Sequence, residues 1–361
     1  MLRLLAFILL TIPWIPAAES PWQATAVFLT PQRLATLKAR IAAKQEPTVS
    51  AYRELLATAD AALGAKPVIP PEFRSYSPYK EAAKAAQAAK ETSWSKDNQN
   101  LYHLALVYRL SGQERYAVAA AALMDAWVTG IQSISKESNT PLSVSAGFPS
   151  LIAAADLLRP SPAFSPEAQE RVAVFLRTKV VPRHSMGRTN NWGSWGTLLV
   201  MSAGAYLQDR KLFDQGVARW KALIDIQQDE QGTLHEEVTR SEGKMGLWYT
   251  NFTLLPATCA AEVARINGVD LFTWVSPKGK SLRTAHVRAM PWLQDPTSFP
   301  YFKGNTKDLV GVYHFPHLEI LSLRYPDPAV RAFFLAHRPV KTHYNMPDLY
   351  LTHGDVLEDG G

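Results

Sequence analysis

The sequence predicts an all-α fold, an (α/α) toroid or incomplete barrel of helical hairpins, on three observations. Helical periodicity runs through most of the 361 residues, strand alternation is scarce, and one turn pattern recurs between alanine-rich helices. In NLYHLALVYRL the apolar positions Leu101, Leu104, Ala105 and Tyr108 fall at i, i+3, i+4 and i+7, the stripe of an amphipathic helix. Similar stripes recur over 32–44, 50–64, 115–128, 150–158, 167–180, 197–207, 213–227 and 253–266. LSGQERY (110–116), LQDRKLF (207–213) and INGVDLF (266–272) each set an aliphatic residue six positions ahead of an aromatic one, with turn formers between them. Hairpins that cannot bury their faces alone stack into an array, which predicts the toroid over a plain bundle.

At the start, MLRLLAFILLTIPWIPAAES carries one early arginine, an apolar run from Leu4 to Ile15, and small residues at Ala17 and Ala18. The run is shorter than the roughly 20 residues a bilayer needs, so 1–20 reads as a secretory leader. The expected location is the periplasm or outside the cell, with no membrane anchor in the mature form. Residues 21–361 read as one domain with an irregular C-terminal part, and a monomer is expected. A content of 47% hydrophobic and 19% charged residues fits a globular chain with a sizeable core. Cys259, the only cysteine, rules out an intramolecular disulfide and a cysteine-based zinc site. The net charge of +6 suits a polyanion. There is no dense Lys/Arg run and no nucleic-acid reading motif, so nucleic acid is not an expected partner.

Further along, AKPVIPPEFRSYSPY (65–79) holds four prolines and reads as an extended connection suited to a lid or rim. ETSWSKDNQNLYH places Trp94, Lys96 and Tyr102 around a helix start. Asn139 stands just before an apolar helix. From about 276 the composition shifts, with prolines at 277, 291, 296 and 300.

Chemistry concentrates in two stretches. GRTNNWGSWG (187–196) sets Asn190 and Asn191 between Arg188 and the pair Trp192 and Trp195, at or just inside a helix start. A single cap explains one amide; two amides beside an arginine and two indoles suit an anionic sugar, because amide donors neutralise a carboxylate and indole faces hold a sugar ring. GTLHEEVTRSEGKMGLWYTNFTLLP (232–256) gathers His235, Glu236, Glu237, Arg240, Lys244, Trp248, Tyr249 and Asn251 in a glycine-rich loop and the helix after it.

NNWGSW, LQDRKLFDQG, GTLHEEVTR, YTNFTLLP and INGVDLF, in that order, resemble the alginate lyase superfamily of polysaccharide lyases, over roughly 185–272. The resemblance implies a helical toroid that cleaves polyuronates by β-elimination. It makes Asn191 the amide for the uronate carboxylate, Arg240 the arginine beside the site, and Tyr249 the proton-shuttling tyrosine. It also exposes a departure. The best-known alginate lyases carry a histidine directly after the paired asparagines, and here that residue is Trp192; two extra residues also separate Arg240 from Tyr249.

The base is therefore open between Tyr249, His235 and His184. Asn139 is a candidate second carboxylate binder, and Trp94, Lys96, Tyr102, Arg188, Trp192, Trp195 and Trp248 are expected to line the substrate cleft. His314 and His317 have ligand-like spacing, but Pro316 and apolar neighbours favour packing; no metal and no cofactor are expected. Two alternatives remain: a glycoside hydrolase of uronate-containing sugars, pairing Glu236 or Glu237 with Asp97 or Asp125 across the cleft, and a catalytically inactive binder of acidic polysaccharide.

Overall fold

Four long helices set the architecture. The computed structural model describes residues 22–340 and 348–354; the expected leader lies outside the described residues. In chain order the helices are α1 (Pro31–Ala42), α2 (Thr48–Ala62), α3 (Ala82–Lys90), α4 (Trp94–Ser111), α5 (Glu114–Gly130), α6 (Thr140–Leu158) and α7 (Pro166–Phe175). They continue with α8 (Asn191–Leu207), α9 (Arg210–Gln227), α10 (His235–Val238), α11 (Gly246–Ile266), α12 (Leu282–Gln294), α13 (Leu318–Arg324), α14 (Pro328–Ala336) and α15 (Leu349–His353). Among the described residues, strand is limited to a parallel pair, β1 (Glu72–Phe73) with β2 (Ser133–Ile134).

α4, α6, α8 and α11 pack one against the next, and α5, α7, α9 and α12 return the chain on the outside. This is the predicted array of hairpins. Three of the inner helices, α6, α8 and α11, are apolar nearly all round, which suits a helix buried on every side: 15 of 17 residues of α8 are buried, whereas α4 keeps a polar face. α6 is long and apolar enough to cross a membrane, and the same composition is accounted for by its burial between α4 and α8.

The repeated turns do what their pattern implies. LSGQERY joins α4 to α5 and LQDRKLF joins α8 to α9, with Tyr116 and Phe213 wholly buried. INGVDLF ends α11 and buries Phe272, but the next helix waits until Leu282. A fourth copy, LRPSPAF (158–164), ends α6 and buries Phe164. Its two prolines in place of polar turn formers hid it in the sequence. The inner helices also begin earlier than their apolar stripes: α6 at Thr140, α8 at Asn191 and α11 at Gly246.

At the far end, an extended strap over 22–29 crosses the helix C-termini. The Ala24 N–H donates to Gln208 (2.7 Å), Thr25 to Asn267 (2.9 Å) and Val27 to Asp156 (2.9 Å). The Asn267 amide returns a bond to the Ala26 carbonyl (2.9 Å). Its three partners cap or close α8, α11 and α6.

Several histidines are buried in the C-terminal half. His286 and His353 are held down to about 4, first by loss of hydration. His317, with His286 and His314 nearby, lies well below the ordinary imidazole range for the same reason. An unfolded chain takes up these protons near pH 6.5, whereas the folded one resists until about pH 4. Their contribution to stability is therefore intact above the upper value and drains away between the two, by on the order of 3 kcal/mol for each fully protected imidazole, partly offset by Glu319, whose carboxyl burial raises to about 7. Urea unfolding followed across this range is expected to show that decline, and His286→Gln to make it shallower.

Candidate functional site

The N-terminal ends of α4, α6, α8 and α11 all open on one cleft of about 840 Å³. Trp94, Asn139, Asn191 and the pair Trp248 and Tyr249 stand at those four starts. A helix N-terminus presents unpaired N–H groups and the positive end of its dipole, so this mouth favours an anion.

The loop 185–190 carries Arg188 and Asn190 over the first turns of α8, and glycines allow it to lie that close. A Cβ on Gly193 would meet the Arg188 carbonyl oxygen at 2.2 Å, and one on Gly196 the Met186 nitrogen at 2.2 Å. From the other side the Arg219 guanidinium donates to the carbonyls of Met186 (2.9 Å), Gly187 (3.2 Å) and Arg188 (2.9 Å). Asn190 caps α8 by accepting from the Trp192 N–H (3.2 Å). Arg188 is exposed and lies 5.4 Å from the centroid of the Trp192 ring.

Asn191 has no exposed surface. Its backbone N–H donates to Glu237 (2.7 Å), and its Nδ2 donates to both Glu237 oxygens (3.0 and 3.1 Å). Glu237 is buried and also accepts from Arg240 Nε (3.3 Å). The Arg240 guanidinium sits 4.9 Å from the centroid of the Tyr249 ring. The Tyr249 hydroxyl lies 3.5 Å from that of Tyr79. Burial first, then the Tyr79 hydroxyl, raises the Tyr249 pKa far above an ordinary phenol, and Arg240 only partly offsets this.

Tyr79 belongs to the proline-rich segment, which the structure places over the cleft as the sequence implied. β1 anchors that segment beside β2, and the Ser138 hydroxyl bonds the Glu81 carboxylate across the mouth. α3 follows with no buried residue, and Ala85, Ala88 and Ala89 face the cavity.

Nine sequence candidates thus line one cavity: Asn191, Arg240, Tyr249, Asn190, Trp192, Arg188, Trp248, Asn139 and Trp94. Trp94 contributes little open surface, because it stacks on Phe148 (4.5 Å) and meets Trp127 (5.0 Å). Trp248 likewise gives one face to Phe252 (4.7 Å).

Five expected residues lie elsewhere. Trp195 is one turn deeper along α8 and wholly buried against Phe252. Tyr102 is two turns past Trp94 and sits in the core. Lys96, two residues after the inward-facing Trp94, points to solvent by helical rotation. His184 is half-buried, its Nδ1 accepting from the Met186 N–H (3.2 Å), and burial lowers its pKa. His235 is exposed on the single turn of α10, whose inward residue is Glu237.

Sequence reasoning missed Arg219 and Tyr79, and gave Glu237 no role beside Asn191. Tyr79 had a signal in the proline-rich segment already read as a rim. Arg219 had none, since its function is to hold the carbonyls of a loop 31–33 residues away.

The alginate lyase family model matches residues 42–299. The chain belongs to the alginate lyase family. A polysaccharide lyase of Stenotrophomonas maltophilia is 30% identical over 171 residues, 47% of this chain and 49% of that protein. An alginate lyase of Azotobacter chroococcum is 27% identical over 242 residues, 64% of this chain and 63% of the relative. The matched stretch thus spans about half of the first relative's length and less than two thirds of the second's. In fold, a Bacteroides ovatus alginate lyase superposes with a TM-score of 0.72 at 19% identity, covering 92% of this chain and 100% of the other. Alginate lyase A1-III from Sphingomonas species A1 gives 0.62 at 17% identity, covering 86% and 90%.

Within this family the departure at Trp192 acquires a geometry. The indole is half-buried in the cleft wall under Arg188, and no histidine lines the cavity among the described residues.

Gly196→Ala is expected to push the 185–188 loop outward. Overpacking of this kind costs about 1–3 kcal/mol, to be read as a lower midpoint in urea unfolding.

Proposed function

We propose that the protein is an exported polysaccharide lyase, acting in the periplasm or outside the cell, which cleaves a 4-linked polyuronate such as alginate or glucuronan by β-elimination. The observation that carries this reading is the convergence of paired amides, the Arg240 guanidinium and the Tyr249 phenol on one cleft at four helix N-termini.

In such a uronide the C5 hydrogen is only weakly acidic while the neighbouring carboxylate is charged. Asn191, Arg240 and the helix termini neutralise that carboxylate and stabilise the enolate-like intermediate, the electrostatic contribution that usually dominates. Tyr249 then takes the C5 proton as phenolate and delivers it to the departing O4. Because its pKa is raised, the resting phenol is protonated and its phenolate is a strong base. The Tyr79 hydroxyl, exposed and within 3.5 Å, offers the proton a way out to solvent. His235 and His184, outside the cavity, are not assigned the base.

A single phenol serving as base and acid works on one face of the sugar ring. C5–H and C4–O share a face in mannuronate and glucuronate and lie on opposite faces in guluronate and galacturonate. The structure lends no support to hydrolysis by two carboxylates. Asp97 is buried, accepting from Trp127 Nε1 (3.1 Å), and Asp125 pairs with Arg171 (2.7 Å) on the outer layer.

Purified protein given polymannuronate or glucuronan is expected to generate the ultraviolet absorbance of an unsaturated uronide. Polyguluronate and pectate should give none; new reducing ends without that absorbance would show hydrolysis instead. Tyr249→Phe should lower kcat by about 10²–10⁴-fold, the usual worth of acid–base catalysis, with oligosaccharide affinity largely kept. In the native protein kcat should climb with pH as the phenolate becomes populated, and a kcat that falls over the alkaline range would remove Tyr249 from the role of base.

A further inference from the structure

Glu237 is a buried carboxylate that the elimination itself does not use, and its surroundings pose a problem for substrate binding. It is surrounded by donors: the backbone N–H and Nδ2 of Asn191, and Nε of Arg240. An ionised carboxylate only accepts hydrogen bonds, so it fixes the Asn191 amide with its amino group turned inward. Asn191 borders the cleft, and its remaining amide atom, Oδ1, is buried without a hydrogen-bond partner. That oxygen has no open surface at rest, so a uronate carboxylate that displaces what covers it meets a second acceptor there, and two acceptors repel.

The amide can resolve this by half a turn about Cβ–Cγ, which exchanges oxygen and amino group in nearly the same space. Nδ2 then serves the incoming carboxylate, and Oδ1 faces Glu237. Two oxygens in contact require a proton between them. With one Glu237 oxygen protonated, its O–H donates to Oδ1, while the other still accepts the Asn191 backbone N–H. We infer that binding of a uronate carboxylate is coupled to uptake of one solvent proton by Glu237, which turns the Asn191 amide from acceptor to donor. Glu237 is a positioning residue in this scheme, since it reaches the substrate only through Asn191.

The electrostatic setting favours the uptake. Burial is the largest influence on Glu237 and raises its pKa, against the opposing donors of Asn191 and Arg240. Of the titratable groups around it, Arg240 lies on the following loop and Tyr249 on α11, while α8 contributes only the neutral Asn191. The adjacent His235 and Glu236 are exposed, and Glu236 is engaged by the Thr189 hydroxyl (3.0 Å). An anion held at Asn191 adds negative charge next to Glu237 and raises its proton affinity further.

The inference rests on the polyuronate reading above, and calorimetry separates the two. A mannuronate tetramer titrated into the Tyr249→Phe protein, near neutral pH in two buffers of different protonation enthalpy, is expected to show uptake of about one proton. Its affinity should fall about tenfold per pH unit above the free Glu237 pKa. In Glu237→Gln/Tyr249→Phe the glutamine amino group donates permanently to Oδ1, so binding should persist with neither buffer nor pH dependence. Tetramer binding without proton uptake in the Tyr249→Phe protein overturns the inference and leaves the polyuronate reading standing, as does uptake that survives in the folded double variant. Failure of the Tyr249→Phe protein to bind either this tetramer or its glucuronate counterpart overturns both. The proton count on the protein with Glu237 intact decides the matter even if the glutamine variant does not fold.

Discussion

The shared direction of the four inner helices is the constraint on which the rest depends. Because an outer helix returns the chain each time, α4, α6, α8 and α11 bring their N-termini to one mouth. The N-cap residues of α4, α6 and α11 make no side-chain cap bond, although Thr92 Oγ1 accepts from the Trp94 N–H (3.1 Å) at the start of α4, while Asn190 caps α8. The dipoles add instead of cancelling, so the positive potential comes from the backbone before any arginine contributes. Arg188 and Arg240 then refine a field that the topology has already created. The net charge over all 361 residues is a modest +6, so the positive character of the mouth is local.

A second constraint is the depth at which charge is stored. Glu237 is a negative group beneath a positive mouth, held there by Asn191 and Arg240. A buried carboxylate is costly unless it is paired and hydrogen-bonded, and here the same bonds that stabilise it also orient two side chains that line the cleft. The loop above is fixed by equally local means, a guanidinium on three carbonyls and two glycines that admit the backbone. Those glycines answer why so flexible a stretch recurs beside the amides: they allow close approach, and neither has a positive φ.

Much of this was legible in the sequence. The stripes gave the helix count of the core hairpins, and the aliphatic-to-aromatic turns gave their connections, because Tyr116, Phe213 and Phe272 must be buried for a hairpin to close. The helix starts were harder, since asparagine, glycine and tryptophan in the first turns of α8 and α11 have poor helix propensity and are helical by virtue of tertiary burial. The amides stood out by their chemistry, and it was the resemblance to the alginate lyase superfamily that joined Arg240 and Tyr249 to them as a set. What sequence proximity could not resolve was rotation and depth along a helix. Trp195 and Tyr102 are near Trp192 and Trp94 in sequence, yet one or two turns carry them from the mouth into the core. Likewise the turn of α10 that buries Glu237 leaves His235 in solvent, a choice set by which side chain meets Asn191 and invisible in the string HEEV.

The strap over 22–29 closes the opposite pole. Its hydrogen bonds reach partners 129, 184 and 242 residues further along, so its full set of partners exists only once α11 is in place. The pole it seals is separated from the mouth by the length of α8, about 25 Å at 1.5 Å per residue for its 17 residues. An attachment joined just ahead of Trp22 therefore leaves from the floor of the molecule. It can tether the protein to a bead or a second module and leave the open end of the cleft unobstructed.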